Sequence, residues 1–419
     1  MALARRHPVV RDDASDGAGG HPGRRRLGRR GGRLGERLLT PLLLGVDIGT
    51  STIKALLLDA DGAEVAHAAV STPFVSDRRG VRATQAGGRV EMAVDDLRAA
   101  LEEVVRGLDG EARRRVSAVG IAGQAESGAP LDAGGKPLAP VIGWHDGRGE
   151  EAVRTLERAL GPDLALRIGQ PVRTVLTAAK LGWLVDHGIG RPARWLGVPE
   201  LCLHALTGAE ATEHSLAART GCYDVGTREW IPEVADALGF GLDLFPPVRP
   251  AGAVMGRTSW PGLPDGVPVT IAGHDHLAGM AGAAVGPHRL GNSVGTAETV
   301  VRRSPVRPDR AEARRLQIAL TVYPGGREWA ALVSGARAGI VLDTAAVALG
   351  HTPPELDRLA ATAAPVDLRD AVDALAHGEP VTFPDAPPGA VWAGLLDALS
   401  ARTADACVRM TQLLGPAEG

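Results

Sequence analysis

The stretch LLLGVDIGTSTIKALLLD, Leu42 to Asp59, constrains the fold more than any other part of the chain. An apolar run ends on a single carboxylate, Asp47. It reverses through Gly49-Thr50-Ser51-Thr52, and a second apolar run follows Lys54. Two short apolar runs around a small-residue turn read as a β-hairpin. The turn leads into a strand and not a helix, unlike the glycine-rich opening of a dinucleotide-binding βαβ unit. DADG at Asp59 to Gly62 predicts a further tight turn, with a third strand over Glu64 to Val70. Backbone amides in a Gly/Thr/Ser turn converge on an anion. Gly49 lets a phosphate approach closely because it has no side chain, and the hydroxyls of Thr50, Ser51 and Thr52 add hydrogen bonds. Asp47 would repel phosphate, but it suits Mg²⁺ or the waters around it. The pattern predicts a Mg²⁺–nucleotide phosphate site; the competing reading is an ordinary hairpin with an edge Asp.

Beyond the hairpin the pattern alternates. Val94 to Leu108 has helical periodicity, and Val116 to Gly123 is a short apolar strand running into GQAES. Helices are predicted over 150–160 and 177–187. A strand over Val269 to Ala272 leads to GHDH, with a small-residue helix over Gly279 to Gly286. Near Arg289 a second beginning occurs: LGNSVGTAETVVRR again reads strand, Gly/Ser/Thr turn, strand. Such an echo fits a duplicated two-domain chain, and 419 residues suffice for two domains.

Composition narrows the function. A net charge of −3 gives no global attraction to nucleic acid or an anionic membrane. No apolar run reaches the roughly 20 residues of a membrane span. Cys202, Cys222 and Cys407 are scattered without metal or redox spacing, which fits a reducing, cytoplasmic setting. Residues 1–41 are rich in Arg and Gly, and poor in apolar side chains until their last few positions. They read as a disordered tail, since no cleavage signal follows the Arg-rich run.

IAGHDHLAG, Ile271 to Gly279, is the second chemical feature. Asp275 follows a buried strand, where a carboxylate can take the proton of a hydroxyl attacking a phosphoryl group. His274 and His276 flank it. A metal site is the alternative, but H-D-H alone lacks a full ligand set, and alternation along a continuing strand would turn both histidines away from Asp275.

From Leu42 to about Val301 the chain resembles the FGGY carbohydrate kinases of the actin-like ATPase superfamily. GVDIGTSTIK resembles the first phosphate motif of that family. VGIAGQAESGAPLDAGGKPLAPVIGWHDGR, Val119 to Arg148, resembles its sugar-side segment, and VPELCLHALTG its middle helix. AGHDHLAGMAGAAVG followed by SVGTAET resembles its catalytic strand and second phosphate motif. Four motifs in family order make the resemblance specific. It implies an α/β fold, the duplicated actin-like (ribonuclease H-like) architecture, with two domains around a cleft: 42–288 and 289–419. It implies ATP and Mg²⁺ as cofactors, and a sugar or polyol as the partner; nucleic acid and membrane are not expected, and a homodimer is compatible.

By the same resemblance, Asp275 falls on the general base and Asp47 on the Mg²⁺-linked acid, acting through water. Gly49, Thr50, Ser51, Thr52, Lys54, Gly295 and Thr296 fall on the nucleotide phosphates, with Gly335 near the nucleotide. Gln124, Glu126, Trp144 and His276 fall on the substrate. Asp146 and Arg148 fall there too, as a contact or as a structural salt bridge. Toward the C terminus the pattern departs. Gly389 to Gly415 resembles the helix before the adenosine motif, but no Gly-Gly-Gly turn follows it. The expectation is a shortened second domain, and hence an alternative function as a catalytically impaired sugar-binding or regulatory relative. An activator ATPase with an iron–sulfur cluster would need paired cysteines.

Overall fold

The computed structural model describes residues 40–76, 88–189, 192–295, 297–334, 337–376 and 381–418. Most of the expected N-terminal tail lies outside these residues, as do Thr296 and Gly335. Thr40–Gly419 forms one compact unit.

β1 (Leu42–Ile48), β2 (Thr52–Leu58) and β3 (Glu64–Ser71) form an antiparallel meander. Leu42, Leu44, Val46 and Ile48 alternate into the core, as a strand's two-residue side-chain period requires. α1 (Val94–Arg106) buries Leu97, Leu101, Val104 and Val105 in that same core. β4 (Val116–Gly123) then lies parallel to β1, and β6 (Pro268–His274) parallel to β4, with the short β5 (Gly256–Arg257) at the edge. The sheet order is β5-β6-β4-β1-β2-β3. The carboxyl ends of three neighbouring parallel strands therefore open on one side of the sheet, and β1 and β6 deliver Asp47 and Asp275 there.

Between β4 and β6 run α2 (Glu150–Leu160), α3 (Thr177–Asp186), α4 (Val198–Thr207) and the single turn α5 (His214–Ala217). A five-stranded sheet of short segments ends in Arg194–Gly197; Gln124 and Glu126 lie just before its strand Gly128–Leu131, Trp144, Asp146 and Arg148 just after its strand Val141–Ile142, and His276 lies outside it on the helix after β6. α6 (Asp275–Gly282) follows β6 with no loop. A second, antiparallel sheet has the order β7-β8-β10-β9, from β7 (Gly291–Val294), β8 (Glu298–Ser304), β9 (Ala319–Val322) and β10 (Trp329–Ser334). The 27-residue α8 (Pro388–Leu414) packs there through Met410 against Val300 and Val333, and α7 (Ala338–Leu349) packs on α8, with Trp392 and Leu395 buried against Val341 and Leu356.

The predicted helix over Gly279 to Gly286 starts four residues earlier and ends at Gly282. β10 ends at Ser334, and α7 starts at Ala338. The second sheet makes a tight contact with the loop at Gly169, just after the short helix Asp163–Arg167. Leu320 N–H donates to Gly169 O at 2.7 Å. Gly169 has φ +71°, and a Cβ there would lie 2.2 Å from Leu320 O. Gly169→Ala should therefore cost about 3 kcal/mol, read as a lower urea midpoint. A midpoint within error of wild type would show that this contact gives way freely. Among the described residues, no helix is long and apolar enough to cross a membrane.

Candidate active site

The β1–β2 hairpin closes through Gly49 N–H donating to Thr52 O at 3.0 Å. Asp47 pairs with Lys54 across this hairpin, which puts both side chains on one face of the sheet. Asp47 Oδ1 is buried and has no hydrogen-bond partner among the described residues. Burial pushes the Asp47 carboxyl up to about 6; Asp275 pushes in the same direction and Lys54 opposes. Two carboxylates from β1 and β6 thus share one electrostatic neighbourhood.

Asp275 is the first residue of α6, directly after β6. Its Oδ1 accepts the His276 main-chain N–H at 2.7 Å and lies 3.2 Å from His274 Nε2. Burial would raise its pKa, but His276, His274, the His276 amide and Arg219 outweigh burial and hold it below the usual value. Burial drives His274 down to about 3, so near neutral pH it meets Asp275 as a neutral imidazole. The side chain of Asp275 remains about a quarter open, at 27 %. A hydrogen-bonded, ionised and accessible carboxylate is suited to accept a proton. The sequence argument that alternation turns the histidines away is overturned: the helix starts at Asp275, and both rings converge on it, 5.3 Å apart. Their donor atoms and the carboxylate lie within 4.8 Å of one another. His276 Nδ1 is 2.8 Å from Ser293 Oγ on β7, which joins the α6 start to the second sheet.

That sheet carries the second predicted turn. Gly295 N–H donates to Ala297 O at 3.0 Å, and Gly339 N–H of α7 donates to Gly295 O at 3.2 Å. Both three-residue connections, 49–51 and 295–297, begin with Gly after an apolar strand residue.

The residues expected at the substrate divide. Trp144 does not stand alone: its indole N–H donates to Thr50 Oγ1 at 2.9 Å, which ties that segment to the first turn. Gln124 is buried; its Oε1 accepts from Ser127 Oγ at 2.9 Å and its amide lies 3.4 Å from Gly49 O. Its polar atoms therefore serve the loop. Glu126 stands in the left-handed region at φ 60°, a strained setting for a non-glycine residue, and accepts Arg219 Nε at 2.6 Å. Asp146 and Arg148, expected at the substrate or in a salt bridge, form the salt bridge. The Asp146 side chain is fully buried, accepts Val90 N–H at 2.7 Å, and takes two guanidinium bonds from Arg148. Arg148 also reaches Glu91 at 2.7 Å and lies over the Trp183 ring. Burial pushes the Asp146 carboxyl up, but these bonds outweigh it and hold it low.

Sequence reasoning missed Arg219, Glu213, Ser215 and Lys180. Arg219 bonds Glu126 and lowers Asp275, so it is a cation of the site on the Asp275 side. Lys180 is fully buried and donates to Thr174 O and Val175 O at 3.2 and 2.6 Å. Burial brings it down to about 8, partly offset by Glu126 and Asp146. A lone lysine in an apolar helix is the only signal the sequence held for it.

Comparison with known proteins places this geometry in context. The model of the N-terminal domain of the FGGY family of carbohydrate kinases matches residues 42–282. An L-fuculokinase of Salmonella typhi is 31 % identical over 280 residues, covering 63 % of this chain and 57 % of its own length. A xylulose kinase of Streptomyces coelicolor is 30 % identical, covering 64 % and 56 %. The chain thus spans a little over half the length of these curated relatives. Among solved structures, a xyloylose kinase from Brucella ovis superposes with a TM-score of 0.73 at 22 % identity, over 90 % of this chain and 80 % of that one. Plasmodium falciparum glycerol kinase with ADP gives 0.70 at 16 % identity, with the same coverage. The fold is the mixed α/β, actin-like ATPase fold of these kinases.

Proposed function

The chain belongs to the FGGY family of carbohydrate kinases, and from that premise we propose that it transfers the terminal phosphoryl group of ATP to a hydroxyl of a sugar or polyol. The observation that carries the proposal is the pairing of Asp47 and Asp275 at the carboxyl ends of parallel strands. One is half-buried with a raised pKa and an oxygen without a partner among the described residues; the other is accessible and held ionised. Two acids with opposed environments divide the work, one toward metal and one toward a proton.

In this reading Asp275 accepts the hydroxyl proton as the oxygen attacks phosphorus. His274 and the His276 amide aim it, and Arg219 keeps it charged. Glu126, with Arg219 beside it, and His276 present hydrogen-bonding groups to the remaining hydroxyls, and Trp144 supplies an apolar wall. Asp146 and Arg148 brace the segment after Trp144 through their salt bridge and its ties to Val90, Glu91 and Trp183. The turns at Gly49–Thr52 and Gly295–Thr296, with Lys54 and Gly335, receive the phosphates of ATP; 42–288 carries the sugar side, and 289–419 the second lobe.

Mg²⁺ fits the donor set at Asp47, where a buried carboxylate oxygen lacks a partner among the described residues. Held there through water, the ion would offset charge on the phosphates of the nucleotide.

The test is ADP release from MgATP across a panel of pentuloses, hexuloses and alditols, with thermal shift in parallel. Release that depends on one sugar supports the proposal. Sugar binding without release favours a catalytically impaired relative, and neither binding nor release ends the sugar-kinase reading.

A further inference from the structure

The end of β6 does not follow its neighbour in regular register. Pairing with β4 runs Ile271 to Ile121 and then Gly273 to Ala122, so Ala272 is an extra residue. This is a bulge, the device that re-aims a strand end. Gly273 takes φ +120° to make it, and a Cβ there would lie 2.6 Å from Ser215 Oγ and 3.0 Å from Glu213 Oε2. Glycine is required because a polar pair presses against the backbone just before Asp275.

That pair is fully buried. His274 main-chain N–H donates to Ser215 Oγ at 2.9 Å. Ser215 Oγ donates to Glu213 Oε2 at 2.5 Å, and Ser215 N–H reaches the same oxygen at 2.7 Å. Glu213 Oε1 accepts Gly325 N–H at 2.8 Å, and the Ala251 amide also donates to this carboxylate. The His274, Ser215 and Gly325 amides can only donate, so Ser215 Oγ and both Glu213 oxygens accept from the backbone. Burial raises the Glu213 carboxyl, and these donors oppose it; in its ionised form the Ser215 hydrogen points at Glu213. Capping α5 needs only the bond from Ser215 N–H. The bonds to His274 and Gly325 exceed what a cap requires, and they link β6 to the turn between β9 and β10.

We propose that Glu213 and Ser215 are positioning residues, which hold the bulged end of β6 and so aim Asp275, and which couple that aim to the Tyr323–Gly326 turn of the second sheet. The proposal rests on the reading of Asp275 as base. Neither residue touches the reacting atoms; each acts through a backbone amide.

The experiment uses the full chain with Ser215→Ala, Ser215→Thr and Glu213→Gln. Hydrogen exchange is followed at 272–276 and 323–327, together with kinetics on the sugar found active in the panel. Ser215→Ala should speed exchange at 272–276 and leave 323–327 unchanged. Glu213→Gln should speed both, because its amide group faces N–H donors. In both variants kcat should fall about 100-fold, as for a base displaced by roughly 1 Å, while KM for sugar and MgATP stays within a small factor. Ser215→Thr, which keeps the hydroxyl, should restore exchange and kcat together. Unchanged exchange in Ser215→Ala and Glu213→Gln overturns the proposal. So does faster exchange with wild-type kcat, or a threonine variant as impaired as alanine. If the wild type turns over no sugar, the kinase reading fails by itself, and the exchange data alone decide whether the pair holds β6 to the turn.

Discussion

Asp275→Asn should lower sugar-dependent ATP turnover by about a thousandfold, the order expected when a general base is removed. The substitution is nearly isosteric. The asparagine oxygen can still accept the His276 amide, now 2.7 Å from Asp275 Oδ1, and can face His274. Positions are therefore kept while the proton acceptor and its charge are lost. KM for sugar should change little, because the groups proposed to face the other hydroxyls keep their supports: Glu126 follows β4 and is held by Arg219, and His276, beside Asp275 on α6, is held by Ser293 Oγ on β7. Folding stability should fall modestly at neutral pH. The setting holds Asp275 below its usual value, so its charge stabilises the fold above the unfolded pKa; losing that outweighs relief of the repulsion that Asp275 exerts on Asp47. The check is kcat and KM by coupled assay, with a thermal melt on the same sample. Turnover within a few-fold of wild type would remove Asp275 from the chemistry and leave it as a structural partner of His274.

The parts of this site that were legible in sequence are local. The β1–β2 hairpin is written in two apolar runs with a small-residue turn, and every residue needed to recognise it lies within Leu42 to Asp59. The β7–β8 turn is legible for the same reason. What the sequence hid depends on contacts between distant segments. Arg219 meets Glu126 across 93 positions, and Glu213 meets Gly325 across 112. No periodicity links such residues. Asp146 and Arg148 were visible as a pair, but only their burial beside Val90, Glu91 and Trp183 decides between a sugar contact and a salt bridge. The H-D-H triplet misled for a different reason. Its geometry depends on where β6 ends, and the change from a two-residue period to a helical one falls between His274 and Asp275. A strand boundary off by one residue reverses which way a side chain points.

Asp47→Asn should separate stability from function. The Asp47 carboxyl sits at about 6 in the folded chain against 3.8 unperturbed, chiefly from burial and next from Asp275. Between roughly pH 4 and pH 6 the folded chain keeps a proton that the unfolded chain releases. Stability from this group is therefore fully present below the unfolded pKa and is lost as pH rises through the folded one. At pH 7 the wild type carries the cost of an ionised, partly buried acid, and asparagine removes it. Without metal, the variant should melt a few degrees higher at pH 7, and the difference should shrink toward pH 4. Function should move the other way. A metal needs the deprotonated acid, so the rise in melting temperature that Mg²⁺ with ADP gives the wild type should grow as pH passes 6. In Asp47→Asn that rise should vanish at every pH, and turnover should fall about a hundredfold or more, the order of a lost electrostatic contact to transferring phosphate. Melting curves with and without Mg-ADP at pH 5, 6 and 7 test both halves. A variant that melts lower than wild type at pH 7 would mean that Asp47 is satisfied where it sits. A variant that keeps the Mg²⁺-dependent rise would move the metal to another group.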